Sequence, residues 1–241
     1  MKNPARGGGR WVDVTPQRLL TWAETFAARH PAIVVTPASD VVIFRSADGT
    51  QAEFHVPFPP LADAQGAQIT PGAPAAAEGA MDVTVDVGEW AGAMARHAAA
   101  DRTVGVLLVR LGGYAAGVFT GSPPRLAASK VGSRLVHGRS AAGGQSQQRF
   151  ARRREKQAAE ALSAAAGNAD AVLRPFARRL DAVVLGGDRT AMNALRGDPR
   201  LERYFTLAAD RFLTVPDPRL AVLRDTPRMY QAIRIRLTEA L

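Results

Sequence analysis

Apolar residues at Leu19, Leu20, Ala23, Phe26 and Ala27 recur at helical spacing behind Thr15-Pro16. A Thr N-cap followed by Pro at the first helical position marks a helix start. After His30-Pro31 the period changes to two, predicting strands at 33–36, 41–45 and 51–56, with Asp48-Gly49 as the hairpin turn between the last two. Residues 59–80 shift to alanine, proline and glycine with only Asp63 and Glu78 charged, the composition of a linker or long surface loop. Residues 81–87 alternate as a strand, 89–100 read as a helix, and a domain boundary is placed near Ala100.

The second half is more regular. Residues 103–111 form a largely apolar strand, Gly112-Gly113 turns it into a partner at 114–120, and a third strand is expected at 125–131. A loop over 132–146 precedes a helix at 147–166, rich in Arg, Gln, Ala and Glu, with Gly167-Asn168 as its stop signal. A helix at 169–180, a buried strand at 182–185 ending in Gly186-Gly187-Asp188, a further helix, a strand at 211–215 and a closing helix at 229–240 complete the pattern. Strands followed by strand–helix alternation indicate an α/β domain with a mixed sheet. Close strand–helix packing accounts for Gly186-Gly187-Asp188, since the rest of a dinucleotide fingerprint is missing.

Composition excludes several chemistries. The 241 residues contain no cysteine, so there is no disulfide framework, thiol nucleophile or thiolate zinc site. His30, His55, His97 and His137 are scattered, and no metal centre is expected. The most apolar stretch, 104–119, is interrupted by Arg110 and glycines, so no membrane span is expected. Residues 1–12 read as a disordered basic tail without the apolar core of a signal peptide, and the expected location is cytoplasmic.

Charge is concentrated rather than spread. Between Arg125 and Lys156 lie nine basic residues (Arg125, Lys130, Arg134, Arg139, Arg149, Arg152, Arg153, Arg154 and Lys156) and one acid, Glu155, a net +8 out of +9 for the whole chain. A block that dense repels itself and points to an anion such as a phosphate backbone. Arg149, Arg153 and Lys156 fall on one helix face, so a stripe tracking RNA is geometrically possible. Phe150 fits a core anchor better than a base-stacking platform, and His137 is given no catalytic role.

Inside that block sits His137-Gly138-Arg139-Ser140-Ala141-Ala142-Gly143-Gly144-Gln145-Ser146. Gly143-Gly144 lets the backbone approach a substrate without a Cβ in the way. Gln145 offers a neutral amide that orients a water or ribose hydroxyl without titrating. Backbone N–H groups around the glycines suit an oxyanion. The helix starting after Ser146 directs the positive end of its dipole toward phosphate.

Gly-Gly-Gln-Ser followed by Arg149-Phe150-Ala151-Arg152 and Arg154, with His137-Gly138-Arg139 just upstream, resembles the catalytic loop of the archaeal and eukaryotic class-one peptide release factors. The similarity is to the bacterial branch of the Vms-like release factors, and extends from about Thr103 to the C-terminus, through the basic helix, the strand before Gly186-Gly187-Asp188 and the helix after it. The resemblance implies a ribonuclease-H-like α/β catalytic domain at 101–241 with its loop at 137–146. A small α/β domain at 13–100 precedes it. It further implies that Gly143, Gly144 and Gln145 are catalytic, and that Arg139, Arg149, Arg152, Arg153, Arg154 and Lys156 bind RNA.

Ser140-Ala141-Ala142 separates the two halves of the loop, where stop-codon-reading factors join them directly. The Asn-Ile-Lys-Ser type codon-reading motif is missing, as is a GTPase-partner domain. The implied activity is therefore codon-independent peptidyl-tRNA hydrolysis on stalled ribosomes or obstructed large subunits, by a monomer without cofactor. Its implied partners are the large subunit, peptidyl-tRNA and rRNA. Two alternatives stay open: cleavage of the tRNA phosphodiester near its 3′ end, and a non-enzymatic ribosome- or RNA-binding factor. Gln147 and Gln148 are further candidates to share the role of Gln145.

Overall fold

The computed structural model describes residues 3–4, 8–61, 86–110, 113–133 and 146–239, without the side chains of 3–4 and 146–155. In chain order the elements are β1 (Asn3–Pro4), β2 (Arg10–Val14), α1 (Pro16–Arg29), β3 (Val34–Pro37), β4 (Val41–Arg45), β5 (Gln51–His55) and α2 (Val87–Ala99). There follow β6 (Val104–Arg110), β7 (Gly113–Thr120), β8 (Arg125–Ser133), α3 (Ser146–Leu173), a 3-10 turn (Arg174–Phe176) and β9 (Ala182–Gly187). The last are α4 (Arg189–Leu195), α5 (Glu202–Phe205), α6 (Leu220–Tyr230) and β10 (Ile233–Thr238). Two compact units result, one of Met1–Ala100 with Gln231–Leu241, the other of Asp101–Tyr230. No helix among the described residues is long and apolar enough to cross a membrane.

Unit 1 is a six-stranded antiparallel sheet, ordered β1-β2-β10-β5-β4-β3, with α1 and α2 contributing to its core. Period-two alternation puts Val42, Phe44, Ala52 and Phe54 on the core face, all fully buried, with the Phe44 and Phe54 rings 4.5 Å apart. The hairpin turns at Gly49, whose φ is +84°. Asp48 fixes that turn by accepting from the Thr50 amide (2.8 Å) and pairing with His30 Nδ1 (2.7 Å). The His30 contact first, then the Thr50 amide, hold the Asp48 carboxyl well below the usual carboxylate range.

Two expectations for this unit are corrected. Within the tail expected at 1–12, the described residues 3–4 and 10–12 are strand residues of the sheet, with Asn3 opposite Trp11. Gly8 and Gly9, both at positive φ, are turn residues rather than signs of disorder. The closing helix at 229–240 is instead β10, because Ile233, Ile235 and Leu237 alternate with Arg234, Arg236 and Thr238 and only the former are buried. β10 lies between β2 and β5, where Arg234 covers Trp11 at 4.7 Å and Arg236 donates to Glu53. The domain expected at 101–241 therefore ends at Tyr230. The linker expected at 59–80 lies outside the described residues beyond Leu61, which is fully buried.

Unit 2 is built on a four-stranded sheet, β8-β7-β6-β9, with β6–β7–β8 antiparallel and β9 parallel to β6. This is the mixed sheet implied for a ribonuclease-H-like domain. Val104 to Val109 and Ala182 to Gly186 are buried throughout, as parallel strands covered on both faces require. β8 is an edge strand and alternates in exposure. The strand expected at 211–215 reduces to bridges at Ala208 and Leu213 alongside β9.

The two helices expected at 147–166 and 169–180 are one continuous helix through Gly167-Asn168. An interior glycine costs a helix about 1 kcal/mol, and tertiary contacts offset it here. The Arg200 guanidinium lies against Gly167, where a Cβ would come within 3.0 Å of it. Asn168 donates to the Tyr114 hydroxyl, and Ala165, Ala166, Ala169 and Leu173 are buried.

All three tryptophans, Trp11, Trp22 and Trp90, belong to unit 1, so their emission reports on that unit. Removing residues 231–241 takes out an inner strand, and Trp emission should shift to that of solvent-exposed indole in native buffer. Unchanged emission would show that β10 does not hold the sheet together.

Candidate nucleic-acid interface

Unit 2 holds 22 basic and 11 acidic residues, whereas unit 1 holds 9 and 11. The positive potential therefore belongs to unit 2, and most of it to the segment running from β8 into α3. β8 carries Arg125 and Lys130, both exposed, without an acid in its nine residues.

β8 ends at Ser133 and α3 begins at Ser146. Arg139, Gly143, Gly144 and Gln145 fall between them and lie outside the described residues. Arg149, Arg152, Arg153 and Arg154 are on the helical backbone of α3, their side chains outside the description, and Lys156 is exposed on the same helix. The helical register puts positions 149, 152, 153 and 156 on one face and 154 on another. Five of the expected basic positions thus share one helix.

The C-terminal half of α3 is held firmly. Arg200 is gripped by Asp198, with Nε to Oδ1 at 2.9 Å and Nη2 to Oδ2 at 2.6 Å, and donates from Nη2 to the Ser163 carbonyl at 3.1 Å. That grip holds the Asp198 carboxyl below its ordinary range. Further along, Tyr204 donates to Asp170 (3.0 Å), and burial together with that carboxylate pushes the Tyr204 hydroxyl up to about 12. On the sheet side, the Tyr114 ring lies over Gly132, leaving no room there for a Cβ. The first half-buried side chain described on α3 is Ala158. Ser146 lies twelve residues before it, roughly 18 Å along the axis.

Sequence patterns alone did not single out Tyr114, Arg200 or Asp198, since an isolated Tyr, Arg or Asp carries no periodicity. Asn168 was visible only as a stop signal. Gly186-Gly187-Asp188 behaves as expected for close packing: Gly187 has φ +105°, and a Cβ would fall on the Val109 carbonyl. Asp188 caps α4 by accepting from Ala191 N at 2.8 Å.

Residues 102–236, more than half of the chain, match the family described as Actinobacteria/chloroflexi VLRF1 release factor. The chain belongs to this release-factor family. The match falls on the unit that carries the basic helix and extends into β10. Among solved structures, an archaeal protein is similar at 14% identity and TM-score 0.37, covering 76% of this chain and 48% of its own. An archaeal translation termination factor, aRF1, is similar at 12% identity and TM-score 0.39, covering 89% of this chain and 62% of its own. The chain thus spans less than two thirds of either structure's length. No curated protein matches the chain.

The anchoring of the release-factor unit makes a graded prediction at two glycines. A Cβ at Gly132 would meet the Tyr114 hydroxyl at 2.5 Å, while one at Gly113 has no atom nearer than 3.6 Å. Gly132→Ala should destabilise unit 2 by about 1–3 kcal/mol through overpacking, and Gly113→Ala by clearly less. Urea unfolding followed by far-UV circular dichroism measures both. Equal effects would remove the role given to Tyr114.

Proposed function

We propose that this release factor is a codon-independent peptidyl-tRNA hydrolase that frees nascent peptides on stalled ribosomes or obstructed large subunits. The observation that carries the reading is Gly143-Gly144-Gln145 placed directly before a long basic helix, in a chain of the release-factor family.

In this reading the Gln145 amide orients a water against the carbonyl carbon of the ester that joins peptide to tRNA. The water oxygen forms the new bond to carbon, the bond to the ribose oxygen breaks, and the proton passes to that ribose oxygen. Backbone N–H groups at Gly143 and Gly144 stabilise the oxyanion as it develops. Arg139, Arg149, Arg152, Arg153, Arg154 and Lys156 hold tRNA or rRNA phosphates, delivering a neutral residue into a strongly anionic surrounding. The separation of His137-Gly138-Arg139 from Gly143-Gly144-Gln145, which stop-codon-reading factors join directly, supports release independent of a codon. The proposed setting is the cytoplasm, and the proposed acting species is a monomer.

Purified protein incubated with ribosome-bound peptidyl-tRNA should yield free peptide and intact tRNA. Gln145→Ala should slow release by about 100-fold or more while leaving ribosome association intact. Shortened tRNA in place of free peptide would support phosphodiester cleavage instead, and full release by Gln145→Ala would remove the residue from the chemistry.

Association should weaken steeply with salt. Replacing Arg152 and Arg154 together with alanine should flatten the slope of log affinity against log salt by about 1.5, the loss of two phosphate contacts. A slope unchanged by the double substitution would take these arginines out of the interface.

A further inference from the structure

Unit 2 contains a cavity that the proposed hydrolysis does not use. It measures about 510 Å³ and lies between α3, α4 and the strand ends of the sheet, a size suited to a small organic ligand. Its floor is formed at Val109 and Asp188, where the carboxyl ends of the parallel strands β6 and β9 meet. From this point the chain departs in opposite directions: β6 is neighboured by β7 on one side, while Ala208 and Leu213 bridge to β9 on the other. In open α/β sheets the crevice at such a divergence is where ligands bind.

We propose that this cavity is a base pocket that takes up one unpaired adenine, as a free nucleotide or as part of an RNA strand. Alanines on α3 (Ala158, Ala161, Ala165) and α4 (Ala191, Ala194) line it and leave a slot between the two helices. Tyr114 supplies an aromatic surface, its ring packed over Gly132 and pinned by Asn168, and unpaired bases are commonly stacked on such rings. Asn168 spends one N–H on Tyr114. Its carbonyl oxygen and second N–H have no partner among the described residues. That pair matches the donor and acceptor on the edge of adenine, which asparagine reads by two hydrogen bonds.

Asp188 gives the site a direction. One of its oxygens caps α4, and the carboxylate at the floor repels phosphate while accepting from an exocyclic amine. The phosphate is therefore left at the end of the cavity away from that floor.

The test is titration of the full-length protein with AMP, with CMP and with an adenosine-ended trinucleotide, followed by amide resonances in two-dimensional NMR. AMP should shift Gly113, Ala161 and Thr190 saturably, and more strongly than CMP at equal concentration. Asn168→Ala should weaken AMP binding by about tenfold. Ala161→Trp should fill the slot and abolish binding; Ala158→Trp, nearly one turn earlier on α3 and likewise half-buried, is a second variant that should do the same. Saturable shifts from the trinucleotide alone, lost in both tryptophan variants, would assign the pocket to an RNA strand. No saturable shift from either adenine probe, equal binding of CMP, or binding indifferent to both tryptophans would overturn the proposal. Peptide release plays no part in this readout, so its failure and that of the hydrolase reading are separable.

Discussion

The docking of the C-terminal half of α3 on its sheet governs what the release-factor unit presents to a partner. Asn168 on Tyr114, Arg200 over Gly167 and Tyr204 on Asp170 grip the helix from three directions. A glycine and an asparagine that would end an isolated helix are thereby carried through, and α3 reaches 28 residues, about 42 Å. A segment of net +8 gains nothing from burial against its own sheet, because each desolvated cation would need a paired acid. Five of its cations are mounted on one helix, whose anchoring contacts among the described side chains lie toward its C-terminal end.

A second constraint comes from β10. The chain leaves unit 1 at Ala100, builds the whole of unit 2, and returns to insert its last strand between β2 and β5. Unit 2 is thus an insertion within unit 1, tied to it by both its ends. The family match at 102–236 reaches into β10, so the matched stretch includes a strand that completes the other unit. Charge follows the same division, with the excess of basic residues confined to unit 2.

Much of this was legible from periodicity. β4 and β5 with the Asp48-Gly49 turn, the Pro16 start of α1, and the apolar runs of β6 and β9 follow from local pattern and turn chemistry. The failures have physical causes. Ile233 to Thr238 contains residues acceptable to both helix and strand, and its alternation becomes decisive only beside two waiting strands. Gly167-Asn168 is a stop signal whose cost is met by Arg200, 33 residues away in sequence, and no local reading contains that contact. The release-factor family was legible from the residues that flank Gly143-Gly144-Gln145. The cavity between α3 and α4 was not, because its alanines, Tyr114 and Asn168 converge only once the two helices pack on the sheet.

The proposed function requires α3 to act as an arm whose length and phase set where Gly143-Gly144-Gln145 is delivered. The most direct measurement is single-turnover release by a variant with seven helix-forming residues inserted after Lys156. Two added turns nearly preserve the helix face but move Ser146 by about 10 Å from the anchor. The account predicts retained ribosome association with loss of release. Release at the unmodified rate from the lengthened arm would contradict it.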